Sequence, residues 1–242
     1  MEKLTVMQER IVTYGLEENL IDNIADLLIE KFCKDGNDFS RVACVFGGRR
    51  PSLFLRKKLS GKIKKPYLPP PTFSMDEFVE YILGEVKKIK DLDCAYFIYE
   101  LIKKEAPSIL GARDSFSQFL GWGSEISSFI EQLDLEDIGD QALVSIERSA
   151  EIGYEVPQSI NVLLQHIVKI RQRLHQMLDK DNLYCRGNMY LKASHIIDNC
   201  AFDEFDVIIF CNCFYLHATE ERIIKTIYDK GKGILIFQGS QD

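Results

Sequence analysis

At 242 residues, 46% apolar and 28% charged, the chain has the make-up of a globular protein able to bury a core of its own. No apolar run approaches the roughly 20 residues of a bilayer-crossing helix, and Met1 to Arg10 is too polar for a secretory signal, so neither feature is expected. Seven scattered cysteines point to reduced thiols in a cytoplasmic protein, and the net charge of −7 excludes a surface coated all over with nucleic acid while leaving room for a local track.

The first expected element is a short strand at Ile11 to Tyr14. A helix follows from about Glu17 to Phe32, its apolar stripe carried by Leu20, Ile21, Ile24, Leu27, Leu28 and Phe32. Glu17, Glu18 and Asp22 suit the positive end of that helix. Val42 to Phe46 is continuously apolar, the pattern of a strand covered on both faces of a sheet. Gly47 and Gly48 suit a sharp turn, and Pro51 suits the first turn of a helix reaching about Ser60. From Arg41 to Lys65 there are nine Lys or Arg and no Asp or Glu, whereas the remainder of the chain has a net charge of −16. A basic island at the carboxyl end of a parallel strand is where an α/β protein holds a phosphate-bearing ligand.

Lys65-Pro-Tyr-Leu-Pro-Pro-Pro-Thr-Phe73 reads as extended and stiff, and Ser74-Met-Asp-Glu77 as a capping box opening a helix to about Leu83. Between residues 84 and 200 strand signals vanish, and helical periodicity runs through Cys94–Lys104, Phe116–Leu133, Ala142–Ala150, Ser159–Leu178 and Tyr190–Asn199. Sheet character returns at Val207–Cys211 and Gly233–Phe237, around a helix at about Thr219–Asp229. The expected architecture is α/β: a discontinuous parallel domain, residues 1–83 plus 201–242, flanked by helices and interrupted by an all-helical insertion over 84–200. The chain stops directly after a buried-looking strand, at Gly239-Ser-Gln-Asp242, with no closing helix. The expectation is a fragment of something longer.

An ATP-hydrolysing domain of this layout needs a glycine-rich loop after its first strand, with a lysine for the outer phosphates and a hydroxyl for magnesium. After Tyr14 the chain offers Gly15-Leu-Glu-Glu-Asn-Leu20, with one glycine, no lysine, no hydroxyl and two carboxylates. Where an acidic pair should hold magnesium and the attacking water, at the end of Val207–Phe210, stand Cys211 and Asn212. Neither is a general base at neutral pH. The nucleotide site reads as degenerate at Gly15, Cys211 and Asn212, with no cofactor.

Val45-Phe-Gly-Gly-Arg-Arg-Pro-Ser-Leu-Phe-Leu-Arg-Lys-Lys-Leu59 resembles the second conserved helicase motif of AddB-type subunits in bacterial helicase–nuclease complexes. Pro71-Thr-Phe-Ser-Met-Asp-Glu-Phe-Val79 resembles the motif that follows it. Phe119–Asp134, with Trp122 between two glycines, is similar to the Trp-Gly segment of the inserted helical subdomain, and Phe205–Asn212 to the magnesium-site strand in degenerate form. The ending Gly231–Asp242 is similar to the next strand, and the motifs fall in family order over nearly the whole chain. The resemblance implies a RecA-like (P-loop NTPase-like) first lobe, with its helical insertion, of an inactivated superfamily I helicase. In that family such a lobe precedes a second lobe and a PD-(D/E)XK nuclease, in exonuclease subunits that resect DNA ends for repair and recombination. It further implies contact with single-stranded DNA or a duplex end through Gly47, Gly48, Arg49, Arg50, Arg56, Lys57, Thr72 and Ser74. A helicase–nuclease partner subunit and the missing carboxyl-terminal domains are the implied protein partners. Gly48 departs from the Asn common in relatives, and Ser74-Met75 from the His-Ser of active enzymes. Nothing resembling the nuclease motif or its iron–sulfur cysteines is present.

Arg49 and Arg50 suit either phosphate contact or pairing with acidic groups of a missing lobe, while Arg56, Lys57 and Lys58 also fit a solvated face. Cys211, Cys213 and His217 fall short of the four ligands of a tetrahedral metal site, so no metal is assigned. His166, His175 and His195 read as structural or surface groups, and Trp122 as a packing anchor at a helix start. The functional expectation is a non-catalytic lobe that guides DNA and docks partner domains. The alternative is a pure protein-interaction scaffold that never touches DNA.

Overall fold

The computed structural model describes residues 10–33, 37–111, 113–143 and 158–240. In chain order the elements are β1 (Ile11–Tyr14), α1 (Leu20–Phe32), β2 (Val42–Phe46), α2 (Arg50–Ile63), β3 (Thr72–Ser74), α3 (Met75–Leu83), β4 (Lys87–Lys88), α4 (Asp91–Glu105), α5 (Phe116–Leu135), α6 (Gln158–Lys180), β5 (Leu183–Tyr184), α7 (Arg186–Ile196), β6 (Val207–Cys211), α8 (Ala218–Asp229) and β7 (Gly233–Gln238). The expected helix over Ala142–Ala150 lies outside the described residues from position 144 on, as do positions 1–9 and the last two residues. The described chain forms two compact units. Unit 1 draws on Met1–Ile82, Ile196–Leu216 and Glu221–Asp242, and unit 2 on Leu83–His195 and His217–Glu220.

Unit 1 is a five-stranded parallel sheet in the order β1-β7-β6-β2-β3. Its register places Val42, Cys44, Phe46, Ile209, Cys211, Ile234 and Ile236 on one face, where they pack against Ile24, Leu28 and Phe32 of α1 and Leu55 and Leu59 of α2. The opposite face presents Phe73 and Phe210. Phe78 of α3 meets both edge to face and stacks on Phe202 at 5.9 Å. Every residue of β2 is buried, as an apolar strand without alternation requires. Two details differ from the sequence reading. β3 is a true strand, because Thr72-Phe-Ser74 leaves the proline run just in time to pair with Cys44 to Phe46. Helix α1 begins at Leu20, because Asn19 caps it by accepting from the Asp22 N–H at 3.1 Å; Glu17 and Glu18 therefore lie in the preceding turn.

Unit 2 packs α4, α5 and α6 around Ile98, Ile102, Phe119, Ile126, Ile130, Ile170, Leu174 and Leu178. Ser115 and Gln118 close a capping box at the start of α5. Trp122, on the first turns of α5, stands 6.4 Å from the Phe119 ring, with the Arg113 guanidinium 5.2 Å from its centre. This unit is not wholly helical. Lys87–Lys88 and Leu183–Tyr184 form a two-stranded parallel ladder, too short to leave any period in the sequence. Asp134, 2% exposed, is held by Arg171 and His175 in a buried ionic cluster. Among the described residues no helix is long and apolar enough to cross a membrane.

Candidate functional site: the carboxyl edge of the parallel sheet

The chain leaves β2 for β3 through α2, and leaves β6 for β7, in the opposite direction, through α8. Strands β2 and β6 are neighbours, so their carboxyl ends flank a topological switch point, the crevice where open α/β sheets take ligands. Gly47, Gly48 and Arg49 stand at the end of β2, and Asn212 and Cys213 at the end of β6. Thr72 and Ser74 lie on the adjoining strand β3, and Gly15 follows edge strand β1. Ten of the eleven sequence-derived site residues thus lie at the carboxyl ends of strands of unit 1 or on the helix that leaves β2, while Thr72 opens β3, level with Cys44 in the middle of β2.

The glycines play a different part from the one expected. Neither Gly47 nor Gly48 adopts a positive φ, so the turn itself does not demand glycine. A Cβ added at either would meet nothing within 4 Å, and their effect is to leave the crevice mouth open. Arg49, the N-cap of α2, offers no side-chain cap to the helix. Its guanidinium reaches Glu77 on α3 at 2.8 Å while remaining 76% exposed. Glu77 is itself the far half of the capping box. It accepts the Ser74 N–H at 2.8 Å and hydroxyl at 2.9 Å, while its own N–H donates to Ser74 Oγ at 3.3 Å. The Ser74 N–H, then the Ser74 hydroxyl and Arg49, hold the Glu77 carboxyl below the usual range against an opposing effect of burial. Ser74 is buried, and its hydroxyl already donates and accepts within the box.

The basic island is partly neutralised. Arg41 grips Asp206, Lys58 meets Asp22 at 2.7 Å, and Lys62 meets Asp26 at 2.6 Å, all within unit 1. Arg56 donates to the Thr72 hydroxyl at 3.3 Å. Arg50, Arg56, Lys57, Lys64 and Lys65 have no ion-pair partner among the described residues. One stripe of α2 carries Arg50, Leu53, Phe54 and Lys57 at helical spacing, with Leu53 66% and Phe54 59% exposed. The sequence reading passed over this apolar pair. Its signal was present in the unmatched period, since Leu55, Leu59 and Ile63 form the core side of the helix and leave Leu53 and Phe54 off it.

The turn after β1 is occupied by the protein itself. Glu18 places one carboxylate oxygen 2.8 Å from the Gly15 N–H, the group that a phosphate loop would offer an anion. The Gln238 side-chain amide, reaching across from β7, donates to the carbonyls of Gly15, Leu16 and Glu18 at 3.1, 3.4 and 2.8 Å. Carbonyls, not N–H groups, therefore point inward. Burial first, and then Glu18, Glu30 and Asp26, push the neighbouring Tyr14 phenol up, a sign of a negative field there. Asn212 adopts φ 55° and links β6 to β7, its Oδ1 accepting the Gln238 N–H at 3.0 Å. Burial raises the Cys211 thiol, which faces the apolar α1–α2 side of the sheet.

His217 Nδ1 lies 2.6 Å from Glu136, His195 lies 3.1 Å from Asp137, and His175 lies 2.9 Å from Asp134, all within unit 2. Among the described residues no three His, Cys, Asp or Glu side chains cluster closely enough to hold a metal ion. No protein-family model matches the chain, and comparison with curated proteins finds no match.

Proposed function

We propose that unit 1 is a RecA-like, helicase-derived lobe without nucleotide chemistry, which guides single-stranded DNA along its carboxyl edge within a cytoplasmic DNA-repair nuclease subunit. One observation carries the reading. An open crevice at the switch point adjoins unpaired cations on α2, while the turn after β1 is filled by Glu18 and Gln238. The uncapped first N–H groups of α2 add to the positive end that would meet phosphate. Leu53 and Phe54 between Arg50 and Lys57 supply the apolar contact that bases need beside a charged backbone.

The test is a fluorescence-anisotropy titration of the 242-residue protein with a labelled single-stranded oligonucleotide over a salt series. Phosphate contacts by Arg50, Arg56 and Lys57 give a log–log salt slope of about −2, an affinity loss of about twentyfold between 50 and 200 mM salt. Arg50→Ala with Lys57→Ala reduces the slope to about −0.7. Magnesium–ATP gives no saturable heat in calorimetry; micromolar binding of ATP overturns the reading.

A second reading, a protein-interaction scaffold, is favoured by a groove of about 220 Å³ in unit 1 between α8 and the sheet. Phe210, Ile224, Tyr228, Leu235 and Phe237 line it, a surface suited to an apolar helix of a partner. Absence of DNA binding even at low salt selects this reading.

A further inference from the structure

Unit 2 contains two thiols in contact that play no part in the proposed DNA path. Cys94 sits in the first turn of α4, and Cys185 directly follows β5; their sulfurs are 3.1 Å apart and both are free. The short ladder explains the meeting. The Ile89 N–H donates to the Tyr184 carbonyl at 3.0 Å, which fixes the entry to α4 beside the exit from β5, 91 positions further along the chain. Main-chain bonds hold both cysteines from the other side, Cys94 N to Lys90 O at 2.9 Å and Met189 N to Cys185 O at 3.0 Å.

The environment treats the two sulfurs unequally. The Ser127 hydroxyl donates to the Cys94 sulfur at 3.4 Å, and the helix terminus beneath Cys94 favours negative charge. Hydrogen bonding from Cys185, then from Ser127, pulls the Cys94 thiol below its usual range, against burial and the carboxylates of Asp91 and Glu131. The same pairing, then burial, pushes the Cys185 thiol up, which makes Cys94 the readier of the two to ionise. Cys94 is 5% exposed, but both thiols line a cavity of about 20 Å³ with His175 and Arg186. That volume has room for one water-sized molecule beside the two sulfurs.

We propose that Cys94 and Cys185 are a peroxide-oxidisable pair that closes a reversible disulfide within unit 2, with Cys94 the attacking sulfur and Cys185 the resolving one. The Cys94 thiolate attacks one peroxide oxygen, the O–O bond breaks, and the departing hydroxide takes a proton to become water. This leaves a sulfenic acid on Cys94. The Cys185 thiol gives up its proton and attacks that sulfur, the S–O bond breaks, and the second hydroxide leaves as water. Two thiols and one peroxide thus yield one disulfide and two waters. Small thiols reverse the step by exchange.

The other cysteines supply internal controls. Cys44 and Cys211 are sealed beneath α1 and α2, and Cys200, half-buried beside Lys230, has its thiol raised by burial. The experiment treats the reduced 242-residue protein with equimolar hydrogen peroxide, quenches by alkylation at intervals, and maps peptides by mass spectrometry. The Cys94–Cys185 cross-link appears first, with loss of two hydrogens, and dithiothreitol removes it while Cys44 and Cys211 stay reduced. In Cys185→Ala a dimedone-trappable sulfenic acid accumulates at Cys94. In Cys94→Ala oxidation of Cys185 slows by about tenfold or more. Oxidation of Cys94 no faster than Cys200 or Cys213, or cross-links joining other cysteines, overturns the proposal. Should an alanine variant fail to fold, the order of oxidation in the unmutated protein decides by itself.

Discussion

Replacing Asp134 by alanine tests how much unit 2 depends on its buried ionic cluster. One carboxylate oxygen accepts from Arg171 Nε at 2.8 Å and lies 2.7 Å from Nη2, while the other lies 2.9 Å from His175 Nε2. The Arg171 side chain is only 6% exposed, so water cannot replace the lost acceptor. Removing one partner of a buried pair costs about 3–5 kcal/mol, because the surviving charge stays desolvated. Arg171 Nη1 keeps the Ile138 carbonyl at 2.6 Å and Asp140 at 3.1 Å, which places the cost near the lower bound, about 3 kcal/mol. With a urea dependence of about 2 kcal/mol per molar, the unfolding midpoint falls by about 1.5 M. Trp122, the sole tryptophan, lies on α5 with Asp134, so its fluorescence in urea follows the unfolding of this helix and its surroundings. A fall of less than about 0.5 M at unchanged slope refutes the reasoning. The paired change Asp134→Leu with Arg171→Met recovers most of the loss, since apolar residues of similar volume remove both charges together.

Glu77→Ala removes the capping box and the Arg49 partner at once and lowers stability at neutral pH by about 0.5–2 kcal/mol. Because the folded-state carboxyl titrates below its unfolded value, that contribution is present above about pH 4.3 and is lost as pH falls through the lower folded value. Urea midpoints of Glu77→Ala and the unmutated protein therefore converge in acid; a gap that widens there refutes the assignment. Gly187→Ala destabilises unit 2 by about 1–3 kcal/mol by Trp122 fluorescence, since the new methyl would lie 2.8 Å from the Glu131 carbonyl and 2.9 Å from its Cα. Phe54→Ala weakens single-stranded DNA by about 1–3 kcal/mol with the salt slope unchanged, because it removes a stacking surface and no charge. An unchanged affinity removes Phe54 from the proposed DNA path.

The long elements of unit 1 were legible because their apolar periods are unambiguous. Val42 to Phe46 could only be a strand covered on both sides, and Ser74 with Glu77 marks the start of α3 in four residues. What escaped was either too short or too distant. Strands β4 and β5 have two residues each and no period. The start of α1 turned on the Asn19 side chain, which competed with two glutamates as a helix-opening signal. For Arg49 the alternative to phosphate was an acid on a missing lobe; the acid it meets is Glu77, 28 positions on in the same unit, brought near by parallel pairing of β2 with β3. That the turn at Gly15 has no lysine and no hydroxyl showed in composition. That its carbonyls meet an amide did not, because Gln238 approaches from 223 positions away. The cysteine count pointed to reduced thiols and gave no hint that Cys94 and Cys185 would touch.

The inward carbonyls at the turn after β1 set a limit on engineering. Grafting a lysine and a hydroxyl into Gly15 to Asn19 would add the missing side chains but leave three peptide dipoles aimed the wrong way. Building a triphosphate cradle there means rotating the peptide planes themselves and evicting the glutamine that holds them. As built, the turn accepts a donor, and the Gln238 amide is the donor it holds.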